Sequence, residues 1–258
     1  MKIYLFTIIL ISSLFADPEL LSNKNTYLVG EHIEAYFSEL NSYGSDWIGI
    51  FQSNAPNEEY LYWQYTDGTQ EKAAELGLEL IVQGPAAGKG FGMREGFARF
   101  LTQEDDVLVM LDADGTYVPK EMLRLLKHLE QGEYDVVIGS RLRGNIQPGA
   151  MSRINWIGNH ILTWFAVALY RVFISDVCTG YWAFRRGAIQ KMSLNSTAFE
   201  IEAEMYTSCA SEGLKMSEVP ISYAPRIGES KLGSIGDGLR ILRKLLVRRL
   251  FPRPVNRV

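Results

Sequence analysis

Two carboxylates flanking one alanine, Asp112-Ala113-Asp114, are the residues of this 258-residue chain best placed to do chemistry. Carboxylate oxygens are hard ligands. A Mg2+ or Mn2+ ion typically takes one or two of them together with substrate phosphates. Asp114 would meet the cation directly, and Asp112 would support it through the metal, a water or a ribose. Both follow Asp106–Leu111, a near-continuous apolar run of the kind that forms a strand covered on both faces. In open α/β sheets, ligands bind beyond the carboxyl ends of strands. The plain alternative is an Asx-type turn leading into the helix that starts near Pro119.

Three weaker groupings accompany the aspartates. Gly88-Lys89-Gly90 precedes a helical stretch; small residues let a backbone approach a phosphate, and a helix N-terminus favours anions. A Walker loop is excluded, because no GxxxxGK[ST] pattern is present. Pro225 to Lys231 carries Arg226, Ser230 and Lys231 around Gly228, two cations and a hydroxyl that suit phosphate oxygens, or simply a solvated loop. Asp176 to Tyr181 and the acidic stretch Phe199 to Glu204 form the third. On a helix Glu200 and Glu204 share a face while Glu202 points elsewhere; capping and solvation are the plain alternatives for these acids.

The elements that would hold these residues are legible from periodicity. From Asp67 onward the texture alternates between helix and strand. Gln70–Leu76 reads as helix, Glu79–Val82 as strand, Gly90–Leu101 as helix, Pro119–Leu129 as helix and Asp135–Gly139 as a buried strand. That rhythm predicts an α/β domain with a mostly parallel sheet and helices on both faces. Residues 24–66 differ. Ile33, Ala35 and Phe37 alternate with polar neighbours, Trp47–Phe51 is a short apolar run and Tyr60–Tyr65 is aromatic-rich, with turn clusters between them. These are pieces of a β-sandwich.

Composition narrows the function classes. The chain is 47% hydrophobic and 22% charged, with a net charge of −4, so no chain-wide basic field points to nucleic acid. Two cysteines exclude a disulfide framework, and with three histidines and no CxxC they argue against structural zinc. Charge is uneven: residues 17–67 hold nine acidic side chains and one basic, whereas residues 235–258 hold seven basic and one acidic. Ile235–Leu250 interleaves leucines with Arg240, Arg243, Lys244, Arg248 and Arg249, a basic amphipathic helix suited to an anionic membrane surface. Trp156–Phe173 is apolar almost throughout, as in a core helix or one at a lipid interface. At the front, Lys2, the apolar run Ile3–Phe15 and Ala16 before Asp17-Pro18 read as a signal sequence, with a buried strand or helix as the alternative.

Residues 67 to about 250 resemble a family 2 glycosyltransferase of the polyprenyl-phosphate branch, the dolichyl-phosphate mannose or glucose synthases. The matching stretches run in order: Asp67-Gly68-Thr69, Gly88-Lys89-Gly90 to Gly96, Asp112-Ala113-Asp114-Gly115, Gly139-Ser140-Arg141, Arg153-Ile154-Asn155 through Gly158-Asn159, Asp176–Tyr181, the Phe199 glutamate segment and the Arg226–Lys231 loop. Eight segments in order are more specific than any one of them. Gly30–Trp63 also resembles the front of a SKICH-like β-sandwich module.

The first resemblance implies a GT-A-like α/β fold, a nucleotide-sugar donor, Mg2+ or Mn2+, and a polyprenyl phosphate acceptor. It places Asp112 and Asp114 on the metal and donor. Asp67, Lys89, Arg226, Ser230 and Lys231 fall near donor or acceptor phosphates, Arg141 and Arg153 on the acceptor phosphate, and Glu200 and Glu202 are further candidates. Such enzymes open with a βαβ half that binds much of the nucleotide. Here the match starts at Asp67, so that half is replaced by the aromatic β segment and the fold is truncated at its N-terminal side. The expected division is therefore 1–16 signal sequence, 17–66 β-rich segment, 67–233 transferase domain and 234–258 basic helix and tail. A transferase would work on the cytoplasmic face of a membrane, whereas the signal-like segment implies export. The rival from another class is an inactive or chimeric chain serving as a secreted or surface binding module.

Overall fold

A computed structural model describes residues 88–112, 115–226 and 234–253, with the backbone of three earlier strands; side chains are described within those three ranges, except at positions 234 and 235. The early strands are β1 (Ile3–Thr7), β2 (Glu19–Ser22) and β3 (Ala35–Ser38). The body then runs α1 (Lys89–Thr102), β4 (Val107–Leu111), a 3-10 turn at Pro119–Glu121, α2 (Met122–Gln131), β5 (Val136–Ile146) and α3 (Arg153–Tyr170). It closes with β6 (Trp182–Arg185), α4 (Arg186–Lys191), α5 (Ile201–Ser211), β7 (Met216–Tyr223) and α6 (Ser234–Leu250). The readings at Gln70–Leu76, Glu79–Val82, Trp47–Phe51 and Tyr60–Tyr65 lie outside the described residues.

Five strands form one sheet in the order β1-β4-β6-β5-β7, and β2 pairs with β3 in a separate antiparallel ladder. The α/β class and the mostly parallel sheet both hold: four of the five strands run the same way, and β6 alone runs against them. β4 pairs parallel with β1 and β5 with β7, whereas β6 runs antiparallel to both β4 and β5. The cause is the route of the chain after α3. That segment returns to the carboxyl edge, where Asp176 bonds Arg141 of β5. β6 therefore starts at that edge and must run back.

β4 shows why the apolar run belongs at the centre. All five of its residues are buried, and they alternate between two cores. Leu108 and Met110 join Met93, Phe97 and Phe100 of α1, Trp182 and Phe184 of β6, and Met205 and Tyr206 of α5. Val107, Val109 and Leu111 face Leu125, Leu126 and Leu129 of α2. Burying each such side chain contributes about 1.5–3 kcal/mol, which pins the strand's register and hence the position of whatever follows Leu111. α6 adds Ile241 and Leu245 to the first core, so the basic C-terminal helix is packed on the body.

Ile3–Thr7, the front of the run read as an export signal, is strand β1, in register with β4 from Ile3↔Val107 to Thr7↔Leu111. The export reading of the run gains no support.

Candidate functional site

The carboxyl edge of β4 presents Asp112, and two distant elements converge on it. Lys89, the first residue of α1, puts its Nζ 2.6 Å from Asp112 Oδ1 and 2.5 Å from Glu202 Oε1 on α5. The ammonium and the Glu202 carboxylate are more than nine-tenths buried, and Asp112 is one-fifth exposed. Glycines allow this convergence. Gly90 N–H donates to Thr197 O at 3.1 Å. A Cβ on Gly90 would stand 2.6 Å from Ser196 O, and one on Gly88 would overlap the Thr197 carbonyl. The Gly-Lys-Gly spacing therefore lets the start of α1 lie against the segment leading into α5, carrying Lys89 between the two acids.

Electrostatics follow from that burial. Desolvation by itself lowers the ammonium's pKa, but Asp112 and Glu202 more than offset it, so Lys89 stays charged far above its ordinary range. Burial raises the Glu202 carboxyl, the like charge of Asp112 adds to this, and Lys89 opposes it.

Asp112 is confined on its other side by the segment before β6. A Cβ on Gly180 would lie 2.8 Å from Asp112 Oδ1 and nearer still to Oδ2. Only glycine leaves room for the carboxylate. Gly180 N–H donates to Tyr117 Oη at 2.8 Å, and the Tyr117 ring packs edge-on against Tyr181 and Tyr223. Thr179 Oγ1 donates to Gly139 O at 2.6 Å, tying the segment to β5. Farther along, Asp176 is fully buried and accepts from Arg141 Nε and Nη2 at 2.7 Å each, and from the Arg141 backbone N–H at 3.0 Å. The Arg141 guanidinium also lies 5.2 Å from the Tyr223 ring centroid. Burial would weaken its charge, but Asp176 holds it protonated well above the usual arginine range.

The three glutamates separate. Glu200 caps the start of α5, half-buried; Glu202 faces Lys89; Glu204 is fully buried among the cations of α6. Glu204 accepts from both Arg248 Nε at 2.8 Å and Arg248 Nη2, from Lys244 Nζ at 3.3 Å, and from the backbone N–H groups of Asn195 and Ser196 at 2.8 and 2.6 Å. Burial pushes its carboxyl up, but Lys244, Arg248 and the Ser196 N–H prevail and hold it below the ordinary range. Two of the cations read as a membrane-facing stripe thus turn inward. Arg240, Arg243 and Arg249 stay exposed.

Among the candidate residues, the structure brings together Lys89, Asp112 and Glu202. Arg141 sits farther along the same edge, engaged with Asp176. Arg153 is exposed in the first turn of α3, and Arg226 lies just past β7. Asp67, Asp114, Ser230 and Lys231 lie outside the described residues. Sequence reasoning missed the contact roles of Gly180 and Tyr117; the glycine inside the Asp176–Tyr181 motif was the available signal. It also missed the Glu204–Arg248 pair, which no spacing announces.

Asp112 is a carboxylate left partly open, the kind of oxygen ligand that a hard cation such as Mg2+ takes together with phosphates. Lys89 Nζ fills the point where Asp112 and Glu202 converge, and no group of three His, Cys, Asp or Glu side chains among the described residues is placed to hold a metal ion.

Residues 64–193, half of the chain, match the model of glycosyl transferase family 2. The chain belongs to glycosyl transferase family 2. The chain is 39% identical over 183 residues to the low-salt glycan biosynthesis hexosyltransferase Agl6 of Haloferax volcanii, covering 70% of its own length and 43% of that protein. It therefore spans less than half of that relative. It is 33% identical to a dolichyl-phosphate hexose transferase of the same organism, over 68% of this chain and 73% of that one. Its fold resembles that of glucosyl-3-phosphoglycerate synthase from Mycobacterium tuberculosis, crystallised with Mn2+, UDP-glucose and phosphoglyceric acid. The TM-score is 0.50 at 17% identity, over 74% of this chain and 67% of that one. The GT-A-type fold expected for the family is thus present. The SKICH-like resemblance of Gly30–Trp63 finds no support in these matches.

Proposed function

We propose that this family 2 transferase moves a hexose from a nucleotide-sugar donor to a polyprenyl phosphate at a membrane surface. The observation that carries it is the placement of Asp112, beyond the carboxyl end of a fully buried central strand and held between Lys89, Glu202 and Gly180. Relatives named for dolichyl-phosphate and undecaprenyl-phosphate transfer support the acceptor class.

Asp112, with Asp114 two residues on, would hold a Mg2+ or Mn2+ ion. Bound there, the ion supplies Lewis-acid neutralisation of the leaving diphosphate. The rest falls to the chain. Lys89 supplies a positive charge at the donor side, and Arg153 and Arg226 supply cations for the acceptor phosphate. Arg141, committed to Asp176, shapes the edge of the site. A phosphate monoester has its second pKa near ~6 and is largely dianionic at neutral pH, so the acceptor needs no strong general base. In keeping with that, His128 bonds Ser217 near the start of β7, at the opposite end of the sheet.

A lipid acceptor requires a membrane-facing surface, and α3 offers one. Ile154, Ile157, Ile161 and Trp164, spaced along one helix face, are all more than half exposed. α6 packs beside α3, with Tyr170 Oη donating to Leu245 O, and adds exposed Leu239, Leu246 and Leu250 among Arg240, Arg243 and Arg249. An apolar face rimmed by cations suits an anionic interface. No helix among the described residues is long and apolar enough to cross a membrane.

The test is metal-dependent transfer from UDP- and GDP-sugars to a polyprenyl phosphate by the native chain, Asp114→Asn and Asp106→Asn. Asp114→Asn removes one of the two carboxylate charges assigned to the cation and should lose about 2–4 kcal/mol of transition-state stabilisation, roughly 30- to 1000-fold in rate. Asp106→Asn, before the strand, should transfer at the native rate. Undiminished transfer by Asp114→Asn would remove the assignment, and no transfer by the native chain from either donor class would refute the function.

A further inference from the structure

Lys89 occupies an unusual position for a residue expected to meet substrate phosphates. Its ammonium is more than nine-tenths buried, and two carboxylates, Asp112 Oδ1 at 2.6 Å and Glu202 Oε1 at 2.5 Å, take up its charge. The triad carries one positive and two negative charges, so it is one cation short of neutrality in a place where uncompensated charge is costly. Neither partner can drift away easily. α1 is seated on the segment before α5 by the glycine contacts at positions 88 and 90, and Asp112 is boxed in by Gly180. The oxygen that Lys89 takes on Asp112 belongs to the carboxylate expected to meet a divalent ion.

We infer that Lys89 is the resident counter-cation of this site, that it bridges Asp112 and Glu202 when no metal is bound, and that a divalent cation reaches Asp112 by displacing it onto Glu202. Both cations would draw on the same oxygen. A dication about 2.1 Å from the same oxygen would stand within about 5 Å of Nζ, a like-charge approach that little solvent screens. Glu202 gives the displaced ammonium a partner without any backbone movement. It is thereby a positioning residue: it keeps Lys89 charged and close in both states.

The inference relies on the transferase reading only for the location of the metal, and its test uses neither sugar nor lipid. Mn2+ alone is titrated into the native chain, Lys89→Met and Lys89→Met/Asp112→Asn, with free Mn2+ counted by electron paramagnetic resonance. Lys89→Met should bind Mn2+ at least about tenfold more tightly than the native chain, since two buried carboxylates then lack their cation. Adding Asp112→Asn should abolish the gain. Mn2+ binding by Lys89→Met equal to or weaker than native overturns the inference.

Should circular dichroism show that Lys89→Met is unfolded, the native chain with 13C/15N-labelled lysine decides. The Lys89 ammonium protons should exchange slowly without metal, and shift and exchange faster once Mg2+ saturates the Mn2+-competable site. An unchanged resonance at saturation overturns the inference. A chain that passes these tests but transfers no sugar would sink the transferase reading and leave this one standing.

Discussion

Gly180→Ala probes the confinement of Asp112 most directly. The added methyl would lie 2.8 Å from Asp112 Oδ1 and closer to Oδ2. Nonbonded atoms settle at roughly 3.5–4.0 Å, so the carboxylate must retreat by about 1 Å. Gly180 is not among the glycines with positive φ, so alanine is not strained in its backbone. The colliding group is the end of a side chain one-fifth exposed, which can be forced toward solvent only by straining its contact with Lys89. The stability cost should therefore fall within the ~1–3 kcal/mol typical of overpacking. Function should suffer as well. A 1 Å misplacement of a positioned group costs on the order of 10²-fold, about 2.7 kcal/mol of barrier. The assay is transfer to a polyprenyl phosphate at saturating donor, with thermal unfolding of the same preparations. A folded Gly180→Ala chain transferring at the native rate would show that Asp112 does not need its observed position.

Three further outcomes follow from other contacts. Glu204 has its pKa lowered in the folded state, so its contribution is complete above its unfolded value near ~4.3 and is lost as pH falls through the lower folded value. Urea unfolding of Glu204→Gln should cost about 3–5 kcal/mol at neutral pH by stranding Arg248; the native chain should lose that margin only below pH ~4. Gly158 lies inside α3, where a Cβ meets nothing within 4 Å, so Gly158→Ala should raise stability by about 0.5–1 kcal/mol in thermal unfolding. Changing the exposed Arg240, Arg243 and Arg249 to Gln should weaken flotation with anionic liposomes by about 1 kcal/mol per cation and leave neutral liposomes unaffected. Equal binding of both chains to anionic liposomes would remove the membrane face. Lys244 and Arg248 are left in place because they hold Glu204.

The sequence by itself determined the elements whose cause is local. An apolar run buried on both faces can only be a central strand, so β4 was legible, and with it the end of the strand that presents Asp112. Periodicity delivered α1, α2 and α6 to within a few residues, because an amphipathic helix writes its buried face at fixed spacing. The ordered set of motifs carried the family.

What sequence did not determine is direction and partnership. β6 is four residues long and alone runs against the other strands because the chain re-enters from the carboxyl edge, a path no periodicity records. The glutamates of α5 look alike in sequence, yet Glu202 serves Lys89 and Glu204 serves Arg248, 44 residues away. Lys244 and Arg248 share a basic helix with Arg243, and only the packing of Ile241 and Leu245 into the core decided which cations turn inward. Lys89 reads as a phosphate ligand beside its glycines. Tertiary structure set it between two acids, because a buried charge must find its counter-charge wherever the fold places one.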